Sequence, residues 1–241
     1  MSFSPVIREL FNRWEQGDLL DRLEASHQQF LGRRKAAVEI APQHQPRKHT
    51  ASNCQVLQQA LLHRAERLLA GAGAMLLEDN IYGLALIARG HYEATAVLRY
   101  LCNRLESLKA GKISFDDFAL KIAYTILGAK HPQFAQAPKP PHILTCIEKA
   151  DKYLDTNFFK EKKGMLRSNY EWLSEFAHPN FLSNRSAFTL DKANRRFVFR
   201  HEGDIQESDF ELVEYLHLSA DLFILLFDDY SHWLMENDLT E

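Results

Sequence analysis

The sequence predicts an all-α protein, a helical bundle that carries one small β-hairpin near residues 186–200. Three observations support this. Glycine (10) and proline (8) are scarce among 241 residues, below the usual shares of about 7% and 5%, so few positions interrupt a helix. Long stretches repeat their apolar residues with the 3.6-residue period of a helix. One stretch, SAFTLDKANRRFVFRHEG, instead alternates through Phe188, Leu190, Phe197 and Phe199 around a polar turn at Lys192–Arg196, and that period of two is the mark of a hairpin.

Taken in order, residues 4–40 read as two helices that meet at Gly17-Asp18. APQHQPRKHTASN (41–53) is a loop by its prolines and polar side chains, with Ser52 or Asn53 placed to cap the next helix. From there to about Leu108 the pattern is helical, with a break at Glu78–Asn80 that divides it into two long helices. SFDDFALKIAYTIL (114–127) opens on Ser114 with Asp117 three residues later, a capping-box arrangement. GAKHPQFAQAPKPP (128–141) is a proline-rich linker inside one domain. Helices follow at about 142–155 and 158–178, and the second runs into His178-Pro179, where proline disfavours α conformation in the residue before it. The last helix opens at Glu207–Asp209 and runs to about Met235. The whole chain, 1–241, reads as a single domain: N-terminal helices and loop (1–50), core helices (52–178), hairpin (186–200) and C-terminal helix (208–236).

A net charge of −3 gives no general attraction to DNA or to an anionic membrane. The one basic concentration, Arg33, Arg34, Lys35, Arg47, Lys48 and His49, lacks interleaved aromatics for stacking bases and reads as a solvated face. The N-terminus has no apolar core behind a basic start, so no signal peptide is expected, and no run of 18 apolar residues suggests a membrane span. Cys54, Cys102 and Cys146 form no C-x-x-C pair. They read as small buried apolar residues in a reduced, cytoplasmic protein. Phosphate-loop, nucleophile-elbow and dinucleotide-binding motifs are missing, so no cofactor is expected. On the last helix Glu214, His217, Asp221, Asp228 and His232 share one face; that stripe reads as the solvent side of an amphipathic helix, with no metal expected.

Two other stripes lie on otherwise apolar helices. In IYGLALIARGHYEATAVLRYL (81–101), Tyr82, Leu86, Arg89, Tyr92, Glu93, Ala96 and Tyr100 share one face. A helix apolar on most sides is normally central, so Arg89 and Glu93 are expected to be at least partly buried and paired. In NYEWLSEFAHPNF (169–181) and the residues before it, Arg167, Tyr170, Ser174 and His178 make the second stripe. The bland reading is that His178 caps a helix end and Tyr170 satisfies a core polar group. The sharper one is that both stripes face each other across a polar pocket, since buried polar groups need partners.

The Y-x-x-L-S…H-P pattern of Tyr170–Pro179 and the R-x-x-x-E pattern of Arg89–Glu93 resemble the signatures of a widespread bacterial helical family of unknown function, placed near the HEPN-like bundles. The resemblance spans about residues 60–200. It implies that Arg89, Glu93, Tyr170 and His178 converge in one site; Ser174, from the same stripe, joins them as a binding candidate. The expectation is a homodimer that binds RNA or a small ligand in defence or stress. The alternative is a metal-independent ribonuclease of HEPN type, with His178 and Arg89 as catalytic candidates alongside Glu93 and Tyr170. Arg22…His27 and Arg195 or Arg196…His201 have the spacing of the HEPN nuclease motif, but so short a pattern recurs by chance.

Overall fold

The computed structural model describes residues 3–158, 163–180, 183–184, 187–199 and 206–236. Among them are eight α-helices of nine residues or more and one antiparallel hairpin. The chain starts cleanly: Ser4 accepts from the Ile7 amide, Pro5 pre-sets the first turn, and α1 runs Pro5–Arg13. Helix α2 (Gly17–Arg33) follows. Helix α3 (Pro46–Leu77) begins earlier than its sequence suggested, because Pro46 supplies the fixed φ of a first helical position. Ser52 is therefore no cap. It lies inside α3, where its hydroxyl accepts from the Ala41 amide at 3.0 Å and ties the preceding loop down.

The break at Glu78–Asn80 falls where it was expected. Asp79 adopts φ +49, a left-handed conformation that aspartate tolerates, and Asn80 Oδ1 accepts from the Gly83 amide at 2.8 Å. Helix α4 (Ile81–Lys109) then runs through the middle of the bundle, touching α3, α5 (Phe115–Leu127), α6 (Ile143–Asn157), α7 (Met165–Glu175) and α8 (Phe210–Glu236). Its buried small residues, Ala85, Ala88, Ala94 and Ala96, let neighbours approach on several sides. Phe30 of α2 and Phe223 of α8 close the core around it, 5.2 Å apart. Cys54, Cys102 and Cys146 are unpaired and buried, and burial pushes each thiol up to about 12.

Helix α7 is shorter than 158–178 at both ends. Gly164 at φ +70 bars a helix from passing through it, and residues 159–162 lie outside the described residues. Asp151, reaching over from α6, accepts from the Leu166 and Arg167 amides at 2.8 and 3.0 Å and caps the new start. Burial raises the Asp151 carboxyl, and these two amides work against that. At the other end the helix stops at Glu175, and a turn carries the chain through His178-Pro179.

Strands β1 (Phe188–Asp191) and β2 (Arg196–Phe199) pair with Phe188 opposite Phe199 and Leu190 opposite Phe197. These four share one hairpin face, and Leu190, Phe197 and Phe199 are more than half exposed. No helix among the described residues is long and apolar enough to cross a membrane.

One surface expectation changes in part. The basic 33–49 segment is not simply solvated: Arg33 grips both Asp228 oxygens at 2.8 and 2.6 Å, and Arg34 lies 3.5 Å from buried Glu66. The same contacts take in the acid stripe of α8. Asp228 meets Arg33, and Asp221 accepts from the Ser26 hydroxyl at 2.9 Å, yet both carboxylates are 55% exposed and Glu214 and His232 are exposed as well, so the stripe is the solvent face that was expected, with its near edge on α2.

Candidate functional site

Helices α4 and α7 bring three of the five residues singled out from sequence into direct contact. The Tyr170 hydroxyl is the hub. It accepts from Arg89 Nη2 at 3.3 Å and donates to Glu93 Oε1 at 3.1 Å. Arg89 Nε lies 3.5 Å from the same Glu93 oxygen, and the guanidinium carbon sits 5.4 Å from the Tyr170 ring centre. Tyr170 is buried, whereas the Arg89 and Glu93 side chains are 28% and 30% exposed. The cluster is therefore a partly open pair of opposite charges laid on a buried aromatic ring. Arg89 Nε is itself buried and has no hydrogen-bond partner among the described residues.

One residue earlier on each helix than Tyr170 and Glu93, Asn169 donates to the hydroxyl of fully buried Tyr92 at 3.2 Å. Burial pushes the Tyr92 phenol well above its ordinary range. Tyr82 donates to the Ser183 carbonyl at 2.8 Å. The face of α4 that holds Tyr82, Arg89, Tyr92 and Glu93 is thus the face that receives α7 and the turn after it.

His178 and Ser174 stand apart. Ser174 bonds back to the Tyr170 carbonyl at 2.7 Å, within its own helix. His178 is exposed, and its imidazole makes no hydrogen bond or ion pair among the described residues. Its carbonyl is the part in use, accepting from the Asn180 amide at 2.8 Å and the Ser183 hydroxyl at 2.6 Å. Asn180 and Ser183 also exchange amide-to-side-chain bonds at 3.2 Å, so the His-Pro-Asn turn is a knot fastened to α4 through Tyr82. Arg167 lies on the surface between Glu171 and Glu148, away from the cluster. An open cleft of about 450 Å³ lies at the α6–α7 end, lined by Glu148, Asp151, Lys152, Asp155, Lys163 and Arg167.

Of the histidines at nuclease-like spacing, His27 is buried against Glu66, with Nε2 3.0 Å from Oε1. His201 lies outside the described residues. Among the described residues no group of three or more His, Cys, Asp or Glu converges to hold a metal ion.

The sequence reading passed over His91, which is wholly buried. Its Nδ1 lies 2.8 Å from the Ser219 hydroxyl, which also meets Thr95 at 3.0 Å, and burial pushes the imidazole down to about 3. A serine in the middle of the apolar α8 was the available signal. Searches against family models, curated proteins and solved structures find no match to this chain.

Proposed function

We propose that this protein acts by binding, recognising RNA or a small anionic ligand at the α4–α7 cluster, as a homodimer with a role in defence or stress. The observation that carries this reading is the guanidinium of Arg89. It is partly exposed, laid over the Tyr170 ring and paired with Glu93, and among the described residues its one hydrogen bond goes to the Tyr170 hydroxyl. A guanidinium has five donors in a planar fork suited to carboxylate or phosphate, so most of its capacity remains for a ligand. Glu93 and Tyr170 hold it in place, which lowers the ordering cost of binding. Hydrolysis of RNA would instead need an acid or base within reach of the same phosphate; the His178 imidazole is not engaged with this cluster, and the carboxylate beside Arg89 is that of Glu93, which already accepts from the Tyr170 hydroxyl.

Fluorescence anisotropy with a labelled single-stranded RNA tests the proposal. Arg89→Ala is expected to weaken binding about tenfold, the equivalent of about 1.4 kcal/mol. His178→Ala should bind as the wild type does, with the RNA intact throughout. Unchanged affinity in Arg89→Ala, or cleavage that disappears in His178→Ala, overturns the reading.

A further inference from the structure

The far end of α4 carries a second polar cluster, built against α6 and separate from Arg89. Arg104 Nη2 and Lys149 Nζ both donate to one oxygen, Asn103 Oδ1, at 3.1 and 3.0 Å. Two full positive charges therefore meet on a neutral amide, a position that would ordinarily be filled by a carboxylate. The nearest acid in sequence is not free to serve. Glu106 takes Arg99 Nη2 through both oxygens, at 2.9 and 3.0 Å, and reaches this group only through the Asn103 amide nitrogen at 3.5 Å. Neither Arg104 nor Lys149 forms an ion pair among the described residues.

The two cations are held in this arrangement. The Arg104 guanidinium lies 5.1 Å from the centre of the Tyr100 ring, and its Nε is buried with no hydrogen-bond partner among the described residues. Lys149 is half-buried, and burial, reinforced by the Arg104 charge, pushes its amine below the ordinary range. Like charges confined this way cost stability unless something negative joins them. The arrangement matches what a tetrahedral oxyanion requires: a planar fork on one side and a point charge on the other.

We propose that Arg104, Lys149 and Asn103 form a binding site for a phosphate group, whose oxygen replaces Asn103 Oδ1 as the shared acceptor. The site stands independently of the Arg89 cluster. The phosphate could come from a free phosphomonoester or from the backbone of an RNA, and both present the same oxygens.

Thermal unfolding of the full chain at constant ionic strength tests it, with inorganic phosphate, adenosine 5′-monophosphate and the dinucleotide ApA without terminal phosphates as probes. Phosphate and the monophosphate are expected to raise the midpoint. An effect of ApA as well assigns the site to backbone phosphate, and no effect of ApA assigns it to a free phosphomonoester. Lys149→Met keeps the apolar stem and removes one of two repelling charges. Without probe it should melt at or above the wild-type midpoint, and its apparent Kd for phosphate should rise about tenfold or more. A lysine with a purely structural role predicts the reverse, a lower midpoint and an unaltered probe response. That result, or no midpoint shift with any probe, overturns the proposal. The α4–α7 cluster takes an anion in the reading above, so the comparison is repeated in the Arg89→Ala background: phosphate should still raise the midpoint there, and adding Lys149→Met should remove that rise, which keeps failure here distinguishable from failure of the α4–α7 reading.

Discussion

Because the Tyr170 hydroxyl accepts from Arg89 and donates to Glu93, neither charge relies on the other alone. A fully buried pair broken on one side loses about 3–5 kcal/mol. Here the two side chains are 28% and 30% exposed, so water compensates part of the loss. Arg89→Ala should therefore cost about 1–2 kcal/mol, read as a lowered urea midpoint at unchanged slope. A midpoint equal to the wild type would mean that the contacts carry no net energy. His178 shows where residue-level reading of sequence stops. Helical spacing put it on the stripe of Tyr170, but the helix ends at Glu175, and the residue serves through its carbonyl. Any amino acid offers a carbonyl, so residue type gives no sign of such a role.

At the scale of elements, the contact of α4 with α8 contains a pH-sensitive group. His91 is neutral there, its pKa pushed by burial from 6.5 down to about 3. Between those values only the unfolded chain takes up the proton, so this contribution is complete above about pH 6.5 and is lost as pH falls toward 3. From pH 7.5 to pH 5 the loss is about 2 kcal/mol, at roughly 1.4 kcal/mol per pH unit below 6.5. Urea midpoints for the wild type and His91→Gln should show it, with the wild type losing more stability than the variant over that interval. Parallel losses would place the acid sensitivity elsewhere. The helices themselves were largely legible, including the break before α4 and the Ser114 cap of α5, because periodicity and capping are local signals. The start of α7 was not, since its cap, Asp151, comes from another helix. Lys35, Arg47 and Lys48 are exposed as a solvated face should be, but the pairing of Arg33 was not legible for the same reason: its partner is Asp228, 195 residues away.

For the whole molecule, a closed two-fold dimer is the expected state, being the commonest form of homo-oligomer. Light scattering at high micromolar concentration should return twice 27.9 kDa, and a monomer mass would exclude any site shared between subunits. The order of the helices has a consequence of another kind. Helix α4 ends at Lys109 and α8, which covers its His91 side, begins only at Phe210. On a ribosome adding about 5–20 residues per second, α4 is synthesised roughly 5–20 s before α8 begins to be made. Throughout that interval His91, Thr95 and Cys102, which meet Ser219 and Leu226 in the finished fold, wait uncovered by α8 in the growing chain, and during synthesis this side of α4 is open to chaperones and to neighbouring nascent chains.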